Sequence, residues 1–241
     1  MRLGVAATAV ACCLSEQFIA CCCVAPEAGG NPWVPPEAIA RFRELAVARA
    51  RGEDVDSPDK IEDQWTISHK LRRDLEEQFT DFAENFTVLE VGSYFGYTTR
   101  LLSKHFARVI ALDAFPQLLQ ANREYNIDRS NVLYLKFHTL DDDWSLFSMN
   151  NIHVVFLDAS HDYETVVMDI ENSLRIPSVS LIIFDDYGAE EGVRQAVHAY
   201  IAANRLRPVL FLGEGEVGPW QLKDGRTIEH REAIACEVVR P

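Results

Sequence analysis

The feature that most constrains the fold of this chain is a change of pattern at residue 87. Beyond it, apolar runs of strand length alternate with segments of helical spacing. The runs are TVLEVG, ARVIALDAF, NVLYLKF, IHVVFLDAS and SVSLIIFDDYG. Four of them contain continuous β-branched or aliphatic stretches, which is typical of strands buried on both faces. Repeated alternation of strands and helices predicts parallel strands joined by right-handed crossovers.

The predicted helices of this region lie between those runs, at 97–106, 116–125, 163–174 and 189–204. The last part of the chain reads RPVLFLGE, then a loop, then EAIACEVVR, which predicts two closing strands that are antiparallel to each other. The fold class is therefore α/β: a Rossmann-like, doubly wound and mostly parallel seven-stranded sheet. We place this domain at 86–241.

The N-terminal part is organised differently. Residues 24–36 contain four prolines and two glycines and predict a linker. A helix is predicted over 36–51, and a second one over 58–84 with Ser57 as its N-cap. We expect residues 31–85 to form a helical cap that covers the substrate.

Residues 1–30 allow two interpretations. Met1 and Arg2, followed by the apolar run Leu3–Leu14, resemble the start of a signal peptide. No small-x-small cleavage site follows, and the run is too short to cross a membrane. We therefore predict a flexible extension of a cytoplasmic protein. A cleaved leader, or a membrane tether through palmitoylated cysteines, is the alternative.

Composition limits the classes of function. Five of the six cysteines lie in the first 23 residues, so the rest of the chain has neither a disulfide framework nor a spaced zinc pattern. The formal net charge of -14 makes binding to nucleic acid or to an anionic membrane unfavourable. The predicted partner is a small molecule, and a homo-oligomer is left open.

The first predicted strand leads into a glycine turn, VLEVGSYFGYTT at 88–99. Glu90 lies near the end of the strand, and Gly92, Ser93 and Gly96 precede a helix. Glycines let the backbone approach a ligand, and a helix N-terminus offers unpaired N–H groups. The spacing Glu-x-Gly-x-x-x-Gly is not the dinucleotide pattern Gly-x-Gly-x-x-Gly, which disfavours a dehydrogenase. A purely structural turn is the alternative.

Asp113 ends the second predicted strand, 17 residues after Gly96. An acid at the tip of this strand is placed to accept the two hydroxyls of a ribose. The alternative is a solvated acid in a loop. The glycine turn that precedes it favours the binding role.

Three further acids end neighbouring strands. Asp158 ends the fourth, and Asp185 and Asp186 end the fifth. Because these strands are neighbours in a doubly wound sheet, we expect the carboxylates to converge at its carboxyl edge. Clustered carboxylates repel one another unless a cation intervenes, and an all-oxygen set suits Mg²⁺ or Ca²⁺. The alternative is that Asp158 caps a turn and Asp186 faces water.

With these residues, the chain resembles the class I S-adenosylmethionine-dependent methyltransferases over about residues 86–241. In that family the glycine turn wraps the methionine part of the cofactor, and the acid that matches Asp113 holds the ribose. The resemblance implies a set of cofactor-binding residues: Glu90, Gly92, Ser93, Gly96 and Asp113. The acid that the family places after the third strand for adenine is offset here, so Asp141 is assigned no role.

A second resemblance concerns the acceptor. Asp158 followed by His161 is similar to the metal-dependent catechol O-methyltransferases, where the base is a lysine, and Asp185–Gly188 is similar to the antibiotic-sugar O-methyltransferases of the macrocin type. It implies methyl transfer to a hydroxyl of a small molecule, such as a sugar diol or a catechol. The expected metal ligands are Asp158, Asp185 and Asp186, with His161 as the base or as a structural histidine.

Two other functions stay open at this point. One is a metal-independent methyltransferase of the same fold that acts on nitrogen or carbon. The other is a non-catalytic protein that binds the cofactor. Fold alone does not decide among them, because the strand-end residues determine the chemistry.

Overall fold

A computed structural model describes residues 44, 47–48, 51–53, 66–80, 83–215, 220–221, 227–228 and 231–240. The helices are α1 (His69–Phe79), α2 (Tyr97–His105), α3 (Pro116–Tyr125), α4 (Tyr163–Arg175) and α5 (Glu191–Ala202). The strands are β1 (Thr87–Val91), β2 (Arg108–Asp113), β3 (Val132–Lys136), β4 (Ile152–Leu157), β5 (Leu181–Phe184), β6 (Leu206–Leu212), β7 (Trp220–Gln221), β8 (Thr227–Ile228) and β9 (Ala233–Val238). Short 3-10 helices lie at Ala83–Asn85 and Trp144–Phe147.

Seven of these strands form one sheet in the order β3-β2-β1-β4-β5-β9-β6. Strands β1 to β5 pair in parallel. Strand β9 is antiparallel to both β5 and β6. The predicted Rossmann-like sheet of seven mostly parallel strands is confirmed, and so is the antiparallel closing pair. Strands β7 and β8 pair with each other apart from this sheet.

Both faces of the sheet are covered because successive side chains of a strand point to opposite sides. In β1, Val88 packs in a cluster with Leu71 of α1, whereas Leu89 packs in a second cluster with Ile170 of α4. All four side chains are fully buried. Each contributes on the order of 1.5–3 kcal/mol through burial.

Helix α1 is shorter than the sequence predicts. The prediction of one helix over 58–84 is wrong, because residues 66–68 are not helical and α1 ends at Phe79. Ser68 caps the helix: its Oγ accepts a hydrogen bond from the N–H of Leu71 at 3.0 Å. The apolar spacing continues through Ser68, so periodicity alone did not reveal the break that a serine cap makes.

The other predictions for the N-terminal part lie largely outside the described residues. Ser57, the linker and residues 1–30 are among them. Of the predicted helix at 36–51, residues 44 and 47–48 are helical, and residue 51 is in a turn. Within the described residues, no helix has both the length and the apolar character needed to cross a membrane.

The backbone ladder continues for one residue past the strands and aligns their carboxyl ends. The N–H of Asp158 donates to the carbonyl of Val91 at 2.9 Å, and the N–H of Asp185 donates to that of Leu157 at 3.0 Å. The sheet therefore brings the residues that follow β1, β4 and β5 to one edge, as the sequence predicts.

Candidate active site

A cavity of about 870 Å³ opens at this carboxyl edge. Its volume lies within the range of roughly 300–1,000 Å³ that is common for small-molecule sites. One end is formed by residues around Asp113, and the other by the acids that follow β4 and β5. The predicted site residues among its lining are Gly92, Asp113, Asp158, His161, Asp185 and Asp186.

The two glycines of the turn have a left-handed backbone and no room for a side chain. Gly92 has φ 87°, and a Cβ atom there would lie 1.9 Å from the carbonyl oxygen of Asp158. Gly96 has φ 88°, and its Cβ would lie 2.2 Å from Oδ1 of Asn122. Gly92 lines the cavity, whereas Gly96 is not among the lining residues. Both positions therefore require glycine because of contacts within the chain itself.

A buried polar network supports the turn from behind. Glu90 is 0% exposed, and Thr99 Oγ1 donates to its Oε2 at 2.6 Å. Asn122 Nδ2 donates to Thr99 Oγ1 at 2.8 Å, and Asn126 Nδ2 donates to the carbonyl of Gly96 at 2.9 Å. Burial raises the pKa of Glu90 well above its usual value. The network fixes the backbone of the turn from Glu90 to Gly96.

Three of the predicted cofactor-binding residues are outside the cavity lining: Glu90, Ser93 and Gly96. They shape the turn instead. Sequence reasoning missed Asn122 and Asn126, which hold the turn from α3. The signal that could have found them is an asparagine in a predicted helix and a second one four residues later at the C-cap, because buried amides need partners.

Asp113 is held by two backbone donors. The N–H of Tyr94 donates to its Oδ2 at 3.0 Å, and the N–H of Phe115 donates to its Oδ1 at 2.9 Å. Burial raises the pKa of Asp113 to about 6, although these hydrogen bonds act in the opposite direction. Each carboxylate oxygen can accept a further hydrogen bond, so a pair of ligand hydroxyls can be bound here.

The wall beside Asp113 is mostly apolar and comes from the β2–α3 and β3 loops. It includes Phe115, Leu118 and Phe137. Asp141 is not among the lining residues; its Oδ2 lies 3.3 Å from Nδ1 of His138, and its side chain is 79% exposed. The structure thus gives no reason to assign Asp141 a role at this wall.

At the other end, Asp158, His161 and Asp186 form a compact group. One possible ligand atom from each lies within 4.8 Å of the other two. His161 Nε2 is 3.1 Å from Oδ2 of Asp186 and 3.9 Å from Oδ1 of Asp158. The neighbouring Asp158 side chain raises the pKa of His161, and burial raises the pKa of Asp158 to about 6. Asp186 has φ 54°, a left-handed conformation that aspartate tolerates.

Asp185 lies beside this group and deeper in the fold. It is 6% exposed, and its Oδ1 has no hydrogen-bond partner among the described residues. Burial, and next the charge of Asp158, raise the pKa of Asp185 well above its usual value. The three predicted metal ligands therefore lie close together, but the compact group contains His161 where the sequence placed Asp185.

Two further residues lie near the acidic end of the cavity, and only one of them is part of its wall. Tyr187 is fully buried with its hydroxyl 2.9 Å from Nε2 of His198, so it is not part of the cavity wall. Glu232 does line the cavity, and its Oε1 accepts a hydrogen bond from the N–H of Ser68 at 2.7 Å. Glu232 could not be singled out from sequence, because it lies in a loop just before the closing strand β9.

Comparison with known proteins agrees with this fold. Residues 89–187 match the family model described as "Methyltransferase domain". An uncharacterized protein of Acanthamoeba polyphaga mimivirus is 23% identical over 154 residues, which cover 58% of this chain and 66% of the viral protein. The matched part of the chain thus spans less than two thirds of that relative's length.

Two solved structures share the fold. A putative caffeoyl-CoA O-methyltransferase from Staphylococcus aureus superimposes with a TM-score of 0.54 at 11% identity, over 84% of this chain and all (100%) of that chain. Phosphoethanolamine N-methyltransferase 1 from Haemonchus contortus, in complex with phosphoethanolamine and S-adenosylhomocysteine, superimposes with a TM-score of 0.50 at 13% identity, over 86% of this chain and 50% of that chain. The domain has the fold of the S-adenosylmethionine-dependent methyltransferases. The family match and the fold both support a protein of that class.

Proposed function

We propose that this protein is an S-adenosylmethionine-dependent methyltransferase that methylates a hydroxyl group of a small molecule, with a divalent cation at the acidic end of its cavity. One observation carries the proposal: a carboxylate suited to a ribose, Asp113, and a metal-type group of side chains line the same cavity. A cofactor site and an acceptor site are thus adjacent, as a transfer reaction requires.

The Asp113 end fits the nucleoside part of the cofactor. Its two oxygens are oriented by backbone N–H groups and can accept the two ribose hydroxyls. Leu118 and Phe137 supply apolar surface for an adenine ring. S-adenosylmethionine, when bound, supplies a methyl group that is already activated by its positive sulfur. The protein therefore needs no covalent intermediate.

The Asp158 end fits a hydroxyl acceptor. Asp158 and Asp186 would hold the cation together with neighbouring groups, and a bound cation lowers the pKa of a hydroxyl that it contacts. In the proposed reaction the acceptor oxygen gains the methyl carbon, the carbon–sulfur bond breaks, and S-adenosylhomocysteine is released. The hydroxyl proton passes to solvent water in the open cavity. The predicted domain boundaries, with a cap over 31–85 as substrate cover, remain part of this proposal.

Charge supports a small acceptor. The formal net charge is -14, and the acceptor end of the cavity is lined by six acidic residues: Asp158, Asp162, Asp185, Asp186, Glu190 and Glu232. A nucleic acid would bring more negative charge to the same place. A neutral compound with adjacent hydroxyls, such as a sugar diol or a catechol, avoids this repulsion and can contact a cation through two oxygens.

The proposal is tested by binding first and activity second. S-adenosylhomocysteine should stabilise the chelator-treated protein against thermal unfolding, whereas NAD should not. Methyl transfer from labelled S-adenosylmethionine to a panel of catechols and sugar diols should then depend on added Mg²⁺ or Mn²⁺. No stabilisation by S-adenosylhomocysteine would contradict a methyltransferase.

The panel should also contain amine acceptors, because an N-methyltransferase shares this fold. Full activity in the presence of EDTA would show that the acids are structural. Transfer to amines alone would make the protein an N-methyltransferase.

A further inference from the structure

The orientation of His161 is the observation that leads beyond the proposed function. Its Nε2 is a buried atom without a hydrogen-bond partner among the described residues. It nevertheless lies 3.1 Å from Oδ2 of Asp186 and 3.9 Å from Oδ1 of Asp158. Nε2 therefore faces the carboxylates of Asp158 and Asp186 together, at distances from which both attract it.

We propose that His161 is a metal ligand, and that Asp158, His161 and Asp186 form a two-carboxylate, one-imidazole site for a first-row transition-metal ion such as Mn²⁺, bound ahead of Mg²⁺. This inference rests on the proposed function, which places a divalent cation at these residues. It changes the role of His161 from base to ligand, since the same nitrogen cannot do both.

Geometry favours the ligand role. A base must reach the acceptor hydroxyl in the open part of the cavity, at hydrogen-bond distance. His161 Nε2 is buried among carboxylate oxygens instead. A nitrogen and two oxygens whose separations stay within 4.8 Å can contact one ion at their centre.

The backbone of the loop that carries His161 is held by its neighbours. This loop lies between β4 and α4, and helix α5 packs closely against it: a Cβ on Gly192 would lie 2.2 Å from the carbonyl oxygen of His161. The next residue, Asp162, caps α4 through a 3.0 Å hydrogen bond from the N–H of Thr165. The loop is thus held between the N-termini of α4 and α5. A metal site needs such support, because its ligands must be fixed before the ion binds.

The donor set determines which ion is favoured. Mg²⁺ is bound by oxygen ligands and keeps several waters, whereas first-row transition metals also accept an imidazole nitrogen, and Mn²⁺ is the member of that series that also suits carboxylates. Three protein ligands also leave coordination positions open for an acceptor, as in other catalytic metal sites. A second observation supports a cation here: Asp185, 6% exposed, lines the same cavity and has a buried Oδ1 without a partner in the described part of the chain.

Mn²⁺ is the best probe, because it is paramagnetic and has little affinity for the thiols of the N-terminal cysteines. Chelator-treated full-length protein is titrated with Mn²⁺ and, separately, with Mg²⁺ by calorimetry. Pulsed electron paramagnetic resonance then detects whether a ¹⁴N nucleus is bonded to the bound Mn²⁺. The variants are His161→Gln, with His138→Gln as the matched control, since His138 lines the same cavity but pairs with Asp141.

We expect ¹⁴N coupling in the wild type and in His138→Gln, and none in His161→Gln. Mn²⁺ affinity should fall by at least about 10- to 100-fold in His161→Gln, because losing a group that only supports a metal ligand already costs this much. Mg²⁺ affinity should change much less, so the preference for Mn²⁺ shrinks. Thermal unfolding of all three proteins confirms that they are folded.

Two results separate the inference from the proposed function. Bound Mn²⁺ without ¹⁴N coupling in the wild type overturns the ligand role of His161 and leaves cation-assisted methyl transfer intact. If neither ion binds the wild type and methyl transfer persists in EDTA, the reaction does not use a cation. The proposed metal site and the ligand role of His161 are then both wrong.

Discussion

The carbonyl oxygen of Asp158 lies 1.9 Å from the position that a Cβ atom on Gly92 would occupy. The turn that follows β1 is thus in direct backbone contact with the end of β4. The sequence predicts a glycine here because a ligand must approach the backbone. In the structure, the group that approaches is the chain's own strand end, and this contact joins the cofactor end of the cavity to the acidic end.

We therefore expect Gly92→Ala to destabilise the fold and not merely weaken cofactor binding. The left-handed backbone costs an alanine about 1–2 kcal/mol, and the clash adds about 1–3 kcal/mol, for a total of about 2–5 kcal/mol. Gly52→Ala is the matched control, because Gly52 has φ 77° with nothing within 4 Å of its Cβ position. In Gly52→Ala the free energy of unfolding should fall only by the cost of the left-handed backbone. Urea unfolding measures both, and equal losses would show that the contact with Asp158 costs nothing.

Asp113→Asn should weaken S-adenosylhomocysteine binding by about 10- to 100-fold, since a hydrogen bond to a charged group contributes about 1.5–3 kcal/mol. Asp141→Asn is the control and should bind normally, because Asp141 is exposed and outside the cavity lining. Calorimetry at pH 8 makes the comparison. A larger effect at Asp141 would mean that the ribose is held elsewhere.

The Asp113 carboxylate should make the binding of S-adenosylhomocysteine depend on pH. Burial raises the pKa of Asp113 to about 6. Below that pH the carboxyl is protonated and accepts fewer hydrogen bonds, so affinity should fall as the pH decreases from 7 to 5. Asp113→Asn has no group to protonate there and should show a flatter profile. A wild-type affinity that is constant over this range would contradict the assignment.

Much of this site could be predicted because it depends on local signals. Apolar runs located the strands of the parallel core, and the parallel topology then placed Asp113, Asp158 and Asp185 at one edge. An acid directly after a buried strand is recognisable without knowing its neighbours. The same holds for Gly92 and Gly96 at the turn.

What could not be predicted depends on contacts between distant residues. The side chain of Ser68 caps a helix where the apolar spacing continues, and its hydroxyl donates a hydrogen bond to Glu232, 164 residues away. Asn122 contacts Thr99 across 23 residues. The backbone of the loop that carries His161 packs closely against α5, a contact that sequence spacing does not encode.

Removing Asp186 from the compact group of Asp158, His161 and Asp186 tests whether this carboxylate takes part in methyl transfer. Asp186→Asn keeps the shape of the side chain, and asparagine tolerates the left-handed backbone at φ 54°. We expect methyl transfer to be lost while S-adenosylhomocysteine affinity is retained, because Asp186 lies at the acidic end of the cavity. Asp141→Asn again serves as the control. Unchanged methyl transfer in Asp186→Asn would exclude this residue from the acceptor site.

Asp169 provides a prediction about stability. It lies on α4, is 3% exposed, and has an Oδ1 without a hydrogen-bond partner among the described residues. Burial raises its pKa to about 7, from an ordinary value of 3.8. Between these values the folded state binds the proton and the unfolded state does not, so this group makes the free energy of unfolding decrease as the pH rises from about 4 to about 7.

Asp169→Asn removes that titration. The variant should match the wild type near pH 4 and be more stable at pH 8, by about 1–3 kcal/mol once the cost of burying an amide is included, since each pKa unit corresponds to about 1.4 kcal/mol. Urea unfolding measures the difference in free energy of unfolding between variant and wild type at each pH. Asp141→Asn controls for removing a charge at the surface. A variant that is equally or less stable than the wild type at pH 8 would show that the hydrogen bond of Asp169 with Thr139 outweighs the cost of burying its charge. The difference between the two pH values identifies the cause, because a simple packing defect would lower stability by the same amount at pH 4 and at pH 8.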